Sequence, residues 1–286
     1  MRQFGAATHA GYRRNNNEDS FVTDADLGLW LVADGVGGHA GGEVAAAIVA
    51  TTVRRGVARG AGLEQAMLEA HNAVLDAIDQ DLGRADMGST VVAIRLQGDD
   101  YQLGWVGDSR AYRWDGNHLQ LLSRDHNPVG ELLHRGLIST AEAAEHPERH
   151  VLTQCLGISR HMRIYPEVER GTLAADQRLV LCSDGLNDEL SDAVIASHMA
   201  ANDDPDDQAA ALVEAALAAG GSDNVTVIVL GGNAGKTGER EPPAAGQIAP
   251  LPAAPPRRDA RTGARRWMLG SALLALVVMA AVSLLT

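Results

Sequence analysis

The chain has 286 residues, enough for one large domain with a substantial core and a further segment. Its 45% hydrophobic and 21% charged residues exclude wholesale disorder. Residues 1–232 carry 17 Arg and no Lys against 34 acidic side chains, whereas the remaining 54 residues carry seven basic and three acidic ones; so acidic a main region repels nucleic-acid backbones, and no nucleic-acid partner is expected.

In chain order, residues 19–23 and 29–33 read as strands, the second running into Asp34-Gly35. Residues 43–59 and 63–82 have helical spacing without proline, which predicts two long helices on a sheet. Residues 89–96, 101–106 and 111–114 are rich in β-branched and aromatic side chains and read as strands. Asp115-Gly116 supplies a turn that pairs 111–114 with 118–122. A short helical insertion is expected at 129–136 and 140–146, strands at 178–182 and 225–230, and helices near 192–200 and 206–219. Strand clusters alternating with helix pairs fit a layered α+β domain, and the frequent hairpins argue against a doubly wound sheet. Cys155 and Cys182 form neither a disulfide framework nor a zinc-type spacing, and both read as buried apolar residues in a reducing compartment.

The position of the acids carries the chemistry. Asp34 follows the apolar run 29–33, Asp108 follows 103–107, Asp184 follows 179–183, Asp223 introduces 225–230, and Glu18-Asp19 precede Phe21-Val22. One aspartate at a strand end is usually a turn or cap residue. Five such places imply carboxylates gathered at one sheet edge, which repel one another unless cations lie between them. Oxygen ligands without a His/Cys set point to Mg²⁺ or Mn²⁺ rather than zinc. Two such ions sharing a water favour attack at phosphorus, where positioning and charge stabilisation do most of the catalysis.

Six motifs then match a family in order: Gly11 through Ser20, Asp34 through Glu43, Gly88-Ser89-Thr90, Val106 through Tyr112, Leu181 through Leu186, and Gly221 through Thr226. Together they resemble the PPM-type phosphatases, the protein phosphatase 2C class, in its bacterial form. The resemblance implies a four-layer α-β-β-α sandwich of two antiparallel sheets flanked by helix pairs, with metals in the cleft at one edge. It implies metal-dependent hydrolysis of phosphoserine and phosphothreonine in proteins, with two Mn²⁺ or Mg²⁺ ions at the core. Asp34 would bridge both ions, Asp184 and Asp223 would hold the first, and Asp19 with the Gly35 carbonyl the second, with Glu18 nearby. Asp108 would join Asp184 at a third, weaker site. Arg14 would bind the substrate phosphate through its planar fork, with Arg13 as the competing candidate. His39 would be the general acid for the leaving serine oxygen, or a group behind the ligands. Residues 127–150 match the family's variable flap, and Ser89 stands where many members have threonine. A silent interaction domain on the same fold would have lost ligand acids, and here each candidate acid is present.

Gly235-Lys236-Thr237 after a strand suggests a phosphate-binding P-loop, but the glycine required five residues earlier is Leu230, and Gly238, Pro242 and Pro243 forbid the helix that must follow. Residues 233–266 hold six of the ten prolines and read as a flexible linker. Residues 267–285 carry no charge and at about 1.5 Å per residue extend roughly 28 Å, the thickness of the hydrocarbon core. Arg257, Arg258, Arg261, Arg265 and Arg266 flank this stretch, so a single C-terminal transmembrane helix is expected, with domain 1–232 on the cytoplasmic side. No apolar stretch follows Met1-Arg2-Gln3, and no cleaved secretory signal is expected there. Membrane-bound phosphoproteins, among them a Ser/Thr protein kinase, are the expected partners.

Overall fold

The computed structural model describes residues 2–37 and 41–231. His39, the linker 233–266 and the expected span 267–285 lie outside the described residues. Among the described residues no helix is long and apolar enough to cross a membrane.

The first half runs β1 (Phe4–His9), β2 (Ser20–Asp24), β3 (Leu29–Ala33), β4 (Gly35–Val36), α1 (Gly41–Ala58), α2 (Leu63–Asp79), β5 (Gly88–Ser89) and β6 (Val91–Gln97). Next come β7 (Asp100–Val106), β8 (Arg110–Trp114), β9 (Leu119–Leu121), α3 (Pro128–His134), α4 (Thr140–Ala144) and β10 (Glu167–Thr172). The chain continues through β11 (Arg178–Cys182), α5 (Asp184–Glu189), α6 (Asp192–Ala201), α7 (Pro205–Ala219) and β12 (Val225–Gly231). Two five-stranded antiparallel sheets result, ordered β1-β12-β11-β8-β9 and β10-β7-β6-β3-β2, with β4-β5 as a two-stranded ribbon.

Buried strands with a period of two explain the layers. On β3, Leu29, Leu31 and Ala33 pack with α1 and α2, while Trp30 and Val32 face the other sheet. On β11 and β12, Val180, Cys182, Val225, Val227 and Val229 pack with α6 and α7, while Leu179, Leu181, Ile228 and Leu230 meet Trp30 and Trp105 between the sheets. Three apolar layers therefore separate four layers of secondary structure, as the α-β-β-α expectation requires. Each fully buried Leu, Ile or Val of this kind contributes about 1.5–3 kcal/mol relative to exposure. Gly56 lets α1 approach α2 closely, since a Cβ there would lie 2.9 Å from the Ala66 Cβ.

Several boundaries differ from the sequence reading. The strand expected at 89–96 breaks at Thr90 into β5 and β6, because Thr90 turns away to bond Asp34. The edge strands β1 and β10 and the short helix α5 are additional. The hairpin at Asp115-Gly116 forms as expected, pairing Tyr112 with Leu121 and Trp114 with Leu119.

Candidate metal centre

Antiparallel pairing brings the acids to one edge. Ser20 opposes Ala33, so Glu18-Asp19 and Asp34 leave the same end of the β2–β3 pair. Cys182 opposes both Arg110 and Val227, which places Asp184, Asp108 and Asp223 beyond the matching end of the other sheet. These loops surround a cleft of about 200 Å³ lined by Arg14, Glu18, Asp34, Asp108, Asp184 and Asp223, together with Gly35, Thr90, His150 and Asn224.

Neighbours fix each acid. The Asp34 amide donates to Thr90 Oγ1 (3.1 Å), the Thr90 amide donates back to the Asp34 carbonyl (2.9 Å), and Thr90 Oγ1 meets Ser109 Oγ at 2.7 Å. Ser183 Oγ and Thr226 Oγ1 donate to Asp19 Oδ2 at 2.8 and 2.6 Å. Asp19 Oδ1 is buried with no hydrogen-bond partner. A Cβ on Gly42 would lie 2.7 Å from Glu18 Oε2, and one on Gly35 would lie 2.2 Å from the Gly42 carbonyl oxygen, so only glycine admits the Glu18 carboxylate and the close backbone approach there. Asn224 closes the N-terminal loop: its Oδ1 accepts from the Glu18 amide (2.8 Å), and its Nδ2 donates to the carbonyls of Ala10 and Asn16 (2.9 Å each).

The electrostatics are those of crowded, desolvated carboxylates. Burial pushes Asp19 up to about 7, with Asp184 and Asp223 adding repulsion and the two hydroxyls opposing it. Asp184 rises to about 6 through burial and then through Asp188 and Asp223. Asp34 lies well above the carboxylate range through burial and the charges of Asp184, Asp19 and Asp108, and Asp108 is raised in the same way by burial, Asp184 and Asp125. Positive charge placed among these groups would favour their ionisation together. An all-oxygen set with an orphaned buried carboxylate oxygen fits hard divalent cations.

The structure brings together Arg14, Glu18, Asp34, Gly35, Asp108, Asp184 and Asp223 as walls of the cleft, whereas Asp19 is not among its lining residues. Of the two arginines, Arg14 lines the cleft, whereas Arg13 is exposed and not among the lining residues. Arg14 Nη2 donates to Asp223 Oδ2 at 2.5 Å, and this bond raises the arginine's pKa. His150, Asp184 and Asp188 form a further group, with one ligand atom from each within 4.8 Å of the others. Asp188 had a signal in the sequence, since Asp184 and Asp188 are four residues apart on α5 and share a face. His150, in the insertion, had none.

The family model for protein phosphatase 2C matches residues 8–218. The chain is 33% identical over 199 residues to the serine/threonine protein phosphatase PstP of Mycobacterium tuberculosis, a match covering 68% of this chain and 38% of that protein's length. Protein phosphatase PhpP of Streptococcus pneumoniae is 30% identical over 206 residues, with 66% and 80% covered. The crystal structure of M. tuberculosis PstP/Ppp superposes with a TM-score of 0.74 at 33% identity, covering 81% of this chain and 99% of that one. The catalytic domain of PstP in complex with two manganese ions gives a TM-score of 0.71 at 31% identity, with 80% and 97% covered. With its six motifs, its layered fold and its carboxylate cleft, this chain belongs to the protein phosphatase 2C family.

Proposed function

We propose that this chain hydrolyses phosphoserine and phosphothreonine in proteins with Mn²⁺ or Mg²⁺ as cofactor. The observation that carries the reading is the buried oxygen of Asp19, left without a partner among four carboxyls whose pKa values burial and mutual repulsion all raise. Asp34, Asp184 and Asp223 would hold the inner cations with Asp19, Glu18 and the Gly35 carbonyl, and Asp108 with Asp184 an outer one. Bound there, divalent cations neutralise the carboxylates and supply a hydroxide-like water at neutral pH.

The chain's own groups do the positioning. Thr90, Ser183, Thr226 and Asn224 hold Asp34, Asp19 and Glu18 through the hydrogen bonds described above, so little reorganisation is left for the reaction. Arg14 stands at the cleft with a fork of donors suited to two phosphate oxygens. His39 is the group to which we assign proton donation to the leaving serine oxygen. The test is hydrolysis of a phosphothreonine peptide by the full chain with Mn²⁺ or Mg²⁺. Undiminished turnover in excess EDTA would sink the reading.

Membrane attachment through 267–285 extends this proposal. It is supported by the uncharged 19-residue stretch and the five arginines before it. If flexible, the 34 residues 233–266 would have a root-mean-square reach of roughly 30–35 Å, which would suit phosphoproteins held at the same cytoplasmic face, a Ser/Thr kinase among them.

A further inference from the structure

His126 is 5% exposed and takes no part in the chemistry above. Its Nδ1 accepts a hydrogen bond from the Gly107 amide at 3.1 Å. That bond assigns the ring proton to Nε2, which donates to Glu167 Oε1 at 3.2 Å. The Glu167 carboxylate also takes Arg124 Nη2 at 2.5 Å. The backbone repeats the connection: the His126 amide donates to the Gly107 carbonyl (2.9 Å), and the His126 carbonyl accepts from the Thr153 amide (2.7 Å). Gly107 has φ +106°, and a Cβ there would lie 2.6 Å from Thr90, so no side chain at 107 can steady the turn. The next residue is Asp108.

The neighbouring side chain bonds beside a second lining residue, His150. Asn127, 4% exposed, donates from Nδ2 to the Arg149 carbonyl at 2.7 Å, one residue before His150. Residues 126 and 127 thus bond next to Asp108 on one side and next to His150 on the other, where His150 groups with Asp184 and Asp188. A histidine that merely filled the core would not place its polar atoms on the turn that carries a cleft acid.

We propose that His126 is a positioning residue for the outer cation: its Nδ1 fixes the Gly107–Asp108 turn and so sets Asp108 against Asp184, while Asn127 aligns the turn that carries His150 with it. This role rests on the reading of Asp108 as a cation ligand.

The full chain with His126→Asn, His126→Gln and His126→Ala separates the two ring nitrogens. Asparagine presents an acceptor where Nδ1 stood, whereas glutamine restores only the Nε2 donor to Glu167. Calorimetric titration with Mn²⁺ should show the weakest binding step kept within about twofold in His126→Asn. In His126→Gln and His126→Ala it should weaken about tenfold or more, with the tighter steps unchanged. In the parent chain, a scalar coupling across the N–H···N bond should link the Gly107 amide nitrogen to His126 Nδ1. Equal loss in Asn and Gln, an unchanged weak step in all three, or no such coupling would overturn the role while leaving the metal centre intact. Absence of Mn²⁺ binding by the parent chain would overturn the metal centre itself and this role with it.

Discussion

Arg14 and Asp223 neutralise each other across 2.5 Å at the cleft, although one is the proposed phosphate ligand and the other a proposed cation ligand. The guanidinium is half exposed, so the pair is solvent-screened and adds little to stability. A phosphate dianion offers Arg14 two oxygens in place of one.

Arg14→Ala should therefore act on substrate binding more than on folding. Charge-assisted hydrogen bonds of this kind are worth about 1.5–3 kcal/mol, which is roughly 10- to 100-fold in kcat/KM, carried mainly by KM. Arg14→Lys keeps the charge without the fork and should fall between the two. Steady-state kinetics on one phosphothreonine peptide would decide it, and an Arg14→Ala enzyme with unchanged KM would remove Arg14 from the phosphate site.

Much of this site was legible because the strands are short and apolar and the acids stand where they end. Asp34, Asp108, Asp184 and Asp223 are all recovered that way, together with the hairpin at Asp115-Gly116. Of the four edge strands of the two five-stranded sheets, β1 and β10 were not legible. The β1 sequence Phe-Gly-Ala-Ala-Thr-His has weak strand propensity, and it is held by register with β12 and by Gly5, where a Cβ would lie 2.4 Å from the Asp206 backbone. The β10 sequence Glu-Val-Glu-Arg-Gly-Thr is charged because it lies on an open edge beside β7. Thr90, Ser183 and Thr226 fall within the matched motifs, but their role as a hydroxyl frame was hidden until the fold brought each to an aspartate more than 40 residues away.

Asp34 and Asp108 should separate when mutated. Asp34→Asn would remove the ligand proposed to be shared by both inner cations, so the two tight Mn²⁺ steps should weaken together and activity fall by orders of magnitude. Asp108→Ala should keep the tight steps while slowing turnover of phosphopeptides. Each change also removes a repelling carboxylate, so melting temperature should not drop steeply. Calorimetric stoichiometry beside peptide kinetics checks both, and loss of the tight steps in Asp108→Ala would reverse the assignment.

The raised carboxyls predict how stability couples to pH. In the metal-free chain Asp19 titrates near 7 and Asp184 near 6, above the usual 3.8, so the folded state holds more protons than the unfolded one between about pH 4 and 7. Their contribution is full below pH 4 and is lost as pH rises through those values. His71 and His126, both lowered by burial, act in the opposite direction. Their effect is common to the chelated and the metal-loaded chain and cancels in the difference. The stabilisation on adding Mn²⁺, read as a gain in melting temperature, should therefore grow from pH 5 to pH 7.5, its free energy rising by about 1.4 kcal/mol per displaced proton per pH unit. A gain that stays flat over that range would mean the cleft acids are not the metal ligands.

The tail reading is checked by deletion of 267–286. The truncated chain should leave the membrane fraction and keep the proposed phosphatase activity, because the cleft acids and their supports all lie before residue 232. Retention in the membrane pellet would place the attachment elsewhere.

Asn224 offers the sharpest test of how the N-terminal loop is held. Its side chain is 5% exposed, and it satisfies the Glu18 amide and the carbonyls of Ala10 and Asn16 at once. Those bonds span the segment that carries Arg14 and Glu18, so the clamp holds the proposed phosphate and cation ligands through one residue. Asn224→Ala leaves three backbone groups without their partner at a cost of about 1–3 kcal/mol each where water cannot reach them. Water entering from the cleft should satisfy some of them, so a total loss of about 2–4 kcal/mol is expected, read as a lower urea midpoint at constant m. Asn224→Asp keeps the acceptor for Glu18 but sets a second oxygen against two carbonyls, and it should be no better than alanine. In both variants KM for the phosphopeptide should rise with that of Arg14→Ala, and the double variant Arg14→Ala/Asn224→Ala should show less than the sum of the two effects on KM. Full additivity would mean that Asn224 supports the fold alone and does not hold Arg14 in place.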